Sequence, residues 1–492
     1  MLDKFKTYQL SCLPSDNPYL SDGWKPCDTE WTASTPDLEV IGEVPKDLSG
    51  VYLRNGHNQI HAPIGKYHPF DGDGMIHGMH FHQGQATYRN RFVRTTGFMA
   101  EEAAGQSLWP GIIEPRRAVR RGWGSIGAMK DNAGTDIKVH AGRALAAMSQ
   151  CSEPYRLDPV TLETLGPDSA WARALGTRGI CSHFQVDEHT GEMMFFNYGE
   201  TAPYFNYGVV NAKNELVHYE PIDLPHAAWP HDLGMSEHYC VIHDLSMFFE
   251  PEALKKGQHR LKFHRDVPAR FGVIPRMGTS RDVKWFEGQP CYILHLANTY
   301  EVGDELVMDG AIQTNPVPDL SQLPKEGYAR MNALLSMDLQ ETRMHRWRFN
   351  LKTGQTHEED LDDEVTEFPM VNGRYKGRGN RYVYNALMKP DWQVVGLKKY
   401  DWQTGQTQRW EAPAGCYVSE APFAPRDGSQ AEDDGYLVTF ITNLGTGKGE
   451  CAVFDAREVS RGPLCRIILP HHIPMGAHAV WTPASALQGA PA

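Results

Sequence analysis

Hydrophobic and polar residues alternate along the chain in short runs that are separated by turn-forming residues. In Ala86–Val93 apolar side chains recur at almost every second position, as expected for a strand with one buried face. Similar short runs occur at Val51–Arg54, Tyr239–Ile242 and Tyr382–Tyr384. The 46 glycines and 33 prolines are spread along the chain, which suits many short strands joined by turns. The pattern predicts an all-β fold.

Three turns share a Thr-Gly pair, and a new strand-like run follows each pair. The pairs are Thr190-Gly191, Thr353-Gly354 and Thr404-Gly405. Glycine readily adopts the left-handed backbone conformation that a tight hairpin needs. The last two pairs lie about 50 residues apart, close to the length of one propeller blade. We therefore predict a single β-propeller domain over residues 41–492, with residues 1–40 as an irregular segment packed on it.

Charge and terminal sequence exclude several classes of protein. The formal net charge of −13 argues against a nucleic-acid partner, because binding to phosphates requires a basic surface. The first residues lack the apolar core of a signal peptide, and no stretch approaches the roughly 20 apolar residues of a membrane-spanning helix. The nine cysteines are scattered without CxxC pairs, which favours reduced thiols. These features predict a cytoplasmic protein.

One short segment has a different charge balance. Trp109 lies in an apolar run that is followed by four arginines: Arg116, Arg117, Arg120 and Arg121. Such clusters are most often solvated faces, and we favour that interpretation. The alternative is a peripheral membrane contact near Trp109 and Arg116, in which apolar side chains enter the surface and arginines meet anionic headgroups.

Four of the 22 histidines lie in comparable settings. His183, His231 and His295 lie in or beside apolar strand-like runs, and His478 lies close to the C-terminus. A propeller brings the inner strands of its blades to one axis, so residues far apart in sequence can meet there. The spacing alone is compatible with a metal site and equally with histidines that are hydrogen-bonded in the core.

Longer motifs carry more information than the spacing. They are Tyr52–Gly56, His68–Met75, Arg89–Val93, Pro154–Pro159, Glu367–Pro369, Ser419–Phe423 and Asp433–Gly435. By these motifs, the chain from about residue 36 onward resembles the carotenoid cleavage oxygenase family. That family includes carotenoid and apocarotenoid oxygenases, stilbene-cleaving enzymes and a retinoid isomerase. The run His68–Met75, which reads HPFDGDGM, is the most specific of the motifs.

The resemblance implies a seven-bladed β-propeller with a helical and loop cap over an apolar substrate tunnel. It places the family's iron(II) ligands at His183, His231, His295 and His478. The implied reaction is dioxygenase cleavage of an apolar alkene by O₂ into two carbonyl products. Four neutral imidazoles suit this chemistry, because they leave the metal its full charge and a vacant position for O₂.

In this family, carboxylates hydrogen-bond three of the ligand histidines and fix their tautomer and ring orientation. Glu367 and Glu420 match two of those positions, whereas the third falls on Gln150. A glutamine carbonyl can accept an imidazole N–H but supplies no negative charge. We therefore predict a less firmly held histidine, assigned to His231, and looser iron. The alternative is that Glu153 takes this role.

Two further positions bear on the substrate. In stilbene-cleaving relatives a tyrosine and a lysine hold the phenol hydroxyl, and these positions fall on Phe92 and Ser149. Because both residues lack the phenol-binding groups, we favour a carotenoid or apocarotenoid in an apolar tunnel. A stilbene or other phenylpropanoid alkene is the alternative.

Two other classes compete with this prediction. A facial-triad oxygenase would use His264 and Asp266 with a distal histidine. A propeller that only binds other proteins would bury the same histidines as core residues. Because cleaving, isomerising and inactive relatives share the iron site, the resemblance leaves the reaction type, the scissile bond and the oligomeric state open.

Overall fold

Strands and turns make up almost all of the protein. The computed structural model describes residues 2–113, 119–124, 127–168, 171–256, 260–319, 321–325, 327–389, 392–476 and 478–487. The α-helices in this part of the chain are Thr96–Ala104, Pro251–Leu254, Gly327–Leu334 and Ala484–Leu487. The prediction of an all-β fold is therefore confirmed. The chain forms two compact units: Met1–Ser182 with Val395–Leu397 and Gln408–Ala492, and His183–Val394 with Lys398–Thr407.

The first unit contains three antiparallel sheets. The seven-stranded sheet consists, in order, of Leu2–Thr7, Thr29–Ser34, Gln85–Phe92, Asp73–His82, Gly50–Arg54 and Ala479–Pro483, with His57–Asn58 paired to Asp73–His82. The four-stranded sheet consists of Thr164–Pro167, Tyr155–Leu157, Arg143–Ala147 and Asp136–His140. The six-stranded sheet consists of Val40–Gly42, Pro463–Ile468, Lys448–Asp455, Gly435–Asn443 and Cys416–Val418, with Phe423–Pro425 paired to Gly435–Asn443.

Both ends of the chain share sheets in this first unit. Ala479–Pro483 pairs with Gly50–Arg54, and Val40–Gly42 pairs with Pro463–Ile468. The two sheets bury one apolar cluster, in which Tyr52 lies 4.9 Å from Phe440 between ring centroids. The C-terminal strand is therefore held by backbone hydrogen bonds to a segment more than 400 residues earlier.

The prediction that residues 1–40 are irregular is wrong in part. Leu2–Thr7 pairs with Thr29–Ser34, which in turn pairs with Gln85–Phe92. All six residues of Leu2–Thr7 are exposed, so no buried face marks this strand in the sequence. It is an edge strand held by backbone hydrogen bonds, which do not depend on side-chain pattern. The division into domains at residue 40 stays a prediction.

The second unit is built from four-stranded antiparallel sheets and one two-stranded ribbon. One sheet consists of Gln185–Val186, Met193–Tyr198, Phe205–Val210 and Leu216–Ile222. The next consists of Gly234–Met235, Tyr239–Asp244, Ala269–Pro275 and Lys284–Gly288. A third consists of Tyr292–Val302, Glu305–Gln313, Thr342–Asn350 and Thr356–Asp360. The ribbon is Met247–Phe249 with Leu261–Phe263. A further four-stranded sheet consists of Thr366–Met370, Tyr382–Met388, Val394–Asp401 and Gln406–Glu411.

The three glycines of the Thr-Gly pairs have the predicted left-handed backbone. The φ angles of Gly191, Gly354 and Gly405 are 70°, 78° and 70°. A side chain added at Gly405 would meet no atom within 4 Å, so only the backbone conformation constrains that position. The turn prediction is confirmed.

Replacing Gly405 with alanine should lower the free energy of unfolding by about 1 kcal/mol, because a left-handed backbone costs an L-residue about 1–2 kcal/mol. Gly405→Asn should lose less, since asparagine tolerates this conformation better. Urea unfolding of the three proteins measures the difference. Equal stability of the alanine variant and the wild type would contradict this account of the turn.

Candidate metal centre

Three of the predicted histidines lie in the second unit and face one another. His183 and His231 lie just before short strands, and His295 lies within Tyr292–Val302. The ring centroid of His183 is 4.2 Å from that of His231 and 5.3 Å from that of His295. The Nε2 atoms of His231 and His295 are 3.3 Å apart. The second unit alone therefore brings three imidazole rings into contact.

A local irregularity accompanies the position of His295. Pairing between Tyr292–Val302 and Glu305–Gln313 shifts register between Ile293 and Leu296. A bulge of this kind bends a strand and redirects a side chain. We attribute the direction of the His295 side chain to this bulge.

His478 lies in the first unit, immediately before the strand Ala479–Pro483. Its carbonyl oxygen accepts a hydrogen bond from the backbone N–H of Asn55 at 2.9 Å, and its side chain is buried. One ligand nitrogen from each of His183, His231, His295 and His478 lies within 4.8 Å of the others. Within the described part of the chain, this is the one group of at least three histidine, cysteine or acidic side chains with such spacing.

The donor chemistry fits a bound metal ion. Nδ1 of His295 lies 2.7 Å from Glu367 Oε2. Because a carboxylate accepts, this Nδ1 carries the proton and Nε2 of the neutral ring holds a lone pair. That Nε2 is the atom 3.3 Å from Nε2 of His231. A cation at this position would be bound by the lone pair of His295, and imidazole donors suit iron among several transition metals.

Glu367 is the carboxylate that orients His295. The side chain of Glu367 is fully buried, and its Oε2 also accepts a hydrogen bond from the backbone N–H of Phe368. The ring of Phe368 stacks on the ring of His295, with 5.0 Å between the two centroids. The hydrogen bond to Glu367 and the aromatic contact with Phe368 both help to hold the ring of His295.

Glu420 has the same relation to His478 within the first unit. Its Oε1 lies 3.3 Å from Nδ1 of His478, and its Oε2 accepts a hydrogen bond from the backbone N–H of Ala479 at 2.5 Å. Burial lowers the pKa of His478, but the carboxylates of Glu420 and Asp136 raise it, and the net direction is upward. The negative potential that raises this pKa also favours a bound cation.

The remaining predicted residues are buried in the first unit. Gln150 and Ser149 follow the strand Arg143–Ala147. The carbonyl oxygen of Ser149 accepts a hydrogen bond from Sγ of Cys181 at 3.2 Å.

Phe92 belongs to an apolar cluster of the same unit. Its ring stacks on Phe98 with 5.0 Å between centroids and meets Tyr8 edge-on at 5.1 Å. Cys27, Ile60 and Met75 complete the cluster. The environment of Phe92 is therefore apolar and aromatic.

The competing sites find less support. His264 stacks on Phe248 at 3.7 Å between ring centroids and lies outside the four-histidine group. In the described residues, no helix is both long and apolar enough to cross a membrane. The indole N–H of Trp109 donates to the carbonyl oxygen of Arg121 at 3.1 Å. Arg116 lies outside the described residues, so the membrane contact stays a prediction.

Asp232 is a further buried residue of this centre that the sequence motifs did not indicate. This residue directly follows His231 and is 4% exposed. The sequence does contain a sign of this role: an acidic residue lies directly beside a candidate ligand, between the apolar residues Trp229 and Leu233. Buried carboxylates need hydrogen-bond donors, so such a position indicates a polar role.

Comparison with known proteins agrees with this geometry. Residues 24–483 match the family described as retinal pigment epithelial membrane protein. A carotenoid 9,10(9',10')-cleavage dioxygenase of Crocus sativus is 32% identical, covering 99% of this chain and 93% of the relative. Lignostilbene-alpha,beta-dioxygenase isozyme III of Sphingomonas paucimobilis is 29% identical, and the match covers 92% of this chain and 94% of the relative.

Solved structures extend the comparison to the fold. The crystal structure of Pseudomonas brassicacearum lignostilbene dioxygenase matches with a TM-score of 0.81 and 25% identity. The match covers 96% of this chain and 100% of that chain. The likeness supports a β-propeller arrangement of the strands.

Replacing Glu367 with glutamine should weaken metal binding about 10–100-fold, because the ring of His295 loses a charged acceptor. Competition with a chelator measures the affinity. Glu450→Gln is a matched control, because Glu450 is buried and accepts hydrogen bonds from Asn443 and Arg466 rather than from a histidine. An equal loss in both variants would show that Glu367 acts only through general stability.

Proposed function

Because the chain belongs to the family of the retinal pigment epithelial membrane protein and the carotenoid cleavage oxygenases, we propose that it is an iron(II) dioxygenase that cleaves a carbon–carbon double bond of a carotenoid or apocarotenoid into two carbonyl products. The observation that carries this proposal is the grouping of His183, His231, His295 and His478. When bound there, iron would supply the site of O₂ activation.

The protein's own residues have defined tasks at this centre. The four imidazoles would hold the metal through nitrogen lone pairs. Glu367 and Glu420 keep the protons of His295 and His478 at Nδ1, so that Nε2 stays available. Burial of most of these groups excludes water, which strengthens their electrostatic contacts. The buried residues are His183, His295, His478, Glu367 and Glu420.

An apolar polyene agrees with the residues at the substrate positions. Phe92 and Ser149 carry no phenol or ammonium group, so they cannot provide the tyrosine and lysine contacts that stilbene-cleaving relatives use. The carotenoid 9,10(9',10')-cleavage dioxygenase of Crocus sativus matches nearly the whole chain. We therefore place a carotenoid or apocarotenoid first.

A phenylpropanoid alkene is the second candidate. The lignostilbene dioxygenases of Sphingomonas paucimobilis and Pseudomonas brassicacearum support it through their likeness to this chain. The iron chemistry would be the same, and only the groups that recognise the end of the substrate would differ.

The proposal also covers the number of propeller blades and the residue at position 150. We propose that the propeller has seven blades, as the resemblance to the family implies. We propose that Gln150 takes the place of a third carboxylate and that His231 is the ring it serves. Location in the cytoplasm stays a prediction.

The substrate assignment is tested by incubating iron-loaded protein under ¹⁸O₂ with an apocarotenal and with a hydroxystilbene. We expect two labelled carbonyl products from the apocarotenal, identified by mass spectrometry, and loss of both after the iron is removed by chelation. Products from the hydroxystilbene alone would move the assignment to the second candidate. A double-bond isomer without cleavage would contradict the proposed reaction.

Restoring a carboxylate at position 150 tests the role of Gln150. Gln150→Glu should raise iron affinity about 10–100-fold, since a charged acceptor orients a ligand ring more firmly than an amide. Iron retained after dialysis against a chelator measures the change. Glu153→Gln is the control, and a large loss of iron in that variant together with no gain in Gln150→Glu would assign the role to Glu153.

A further inference from the structure

Asp232 joins three separate segments of the second unit through hydrogen bonds. Its Oδ1 accepts from Nε2 of Gln185 at 2.8 Å and from the backbone N–H of Leu233 at 2.7 Å. Its Oδ2 accepts from the backbone N–H of Leu296 at 2.9 Å. Asp232 and Gln185 are both buried, so water does not replace these contacts easily.

Each of these segments carries one of the grouped histidines. Gln185 lies two residues after His183, and Leu296 directly follows His295. Asp232 itself directly follows His231. One carboxylate therefore contacts all three segments of the second unit that carry a grouped histidine. None of these three hydrogen bonds involves an imidazole ring.

We propose that Asp232 is a positioning residue that sets the spacing of His183, His231 and His295 around the metal. The inference rests on the proposed metal site. Glu367 and Glu420 orient single rings, whereas Asp232 holds backbone and neighbouring side chains, so its task is the distance between ligands. Metal centres depend on such support because ligands must stay close to the productive geometry.

The chemistry of the contacts requires a carboxylate. All three partners are N–H donors, and an ionised aspartate is an acceptor at both oxygens. Asparagine offers one oxygen, and its NH₂ group would face either Leu296 or the pair Gln185 and Leu233. At least one buried donor would then lose its partner.

The charge of Asp232 also points to a nearby cation. Within the described residues, no lysine or arginine forms an ion pair with Asp232. The buried imidazole of His243 is close enough for Asp232 to act on its pKa, yet burial dominates and lowers that pKa to about 4. A divalent metal held by the neighbouring histidines would add a positive charge close to Asp232 in sequence.

Asp232→Asn tests the proposal with Co²⁺ as a spectroscopic substitute for iron(II). We expect Co²⁺ affinity, measured by chelator competition, to fall about 10–100-fold. The visible absorption bands of bound Co²⁺ should shift, because they report the ligand geometry. Asp309→Asn is the matched control, since Asp309 is a buried carboxylate of the same unit that binds Arg346 at 2.7 and 2.8 Å. It should leave both affinity and spectrum unchanged.

Gln185→Leu removes only the hydrogen bond from Gln185 to Asp232. This variant tests the role of Asp232 if Asp232→Asn does not fold. It should weaken Co²⁺ binding less than Asp232→Asn and shift the spectrum in the same direction. Wild-type affinity and spectrum in every folded variant, or equal losses in Asp232→Asn and Asp309→Asn, would overturn the role of Asp232. Failure of the wild type to bind Co²⁺ or iron would instead reject the proposed function.

Discussion

Imidazole nitrogens can share one cation only when each ring is held at a fixed angle, and this constraint accounts for much of the buried polar structure around the four histidines. Each ring can turn about two torsions, and its ligand atom can be exchanged with the opposite nitrogen by a change of tautomer. Glu367 and Glu420 restrict both freedoms at His295 and His478 by accepting a hydrogen bond from Nδ1–H. Buried charges at these positions are costly by themselves, and a bound metal cation would offset that cost.

The position of His478 depends on pairing between distant parts of the chain. Its neighbour Ala479 begins the strand that pairs with Gly50–Arg54, and Asn55 donates to its carbonyl oxygen. Glu420, which contacts its ring, also accepts from the N–H of Ala479. A slip of one residue in this pairing would turn every side chain of the strand to the other face. The register of the strand Ala479–Pro483 therefore also determines the direction of the His478 side chain.

The sequence allowed the class of fold and the four histidines to be predicted, but not the geometry that joins them. Alternating runs such as Ala86–Val93 indicate strands because one face is buried, whereas Leu2–Thr7 has no buried face and gave no such signal. The histidines were found through motifs, since their spacing was equally compatible with core residues. The bulge at His295 depends on pairing with another strand. The contacts of Asp232 depend on segments that come together only in the folded protein.

If Gln150 takes the position of the third carboxylate, as we propose, it would change the charge around a bound metal as well as the hydrogen bonding. Carboxylates beside ligand rings stabilise the more highly charged metal state most, because Coulomb attraction grows with the charge of the cation. Iron bound beside Glu367, Glu420 and a neutral Gln150 would therefore favour iron(III) over iron(II) less than iron bound beside three carboxylates. Weaker metal binding and a more stable reduced state would then be two consequences of the same missing charge.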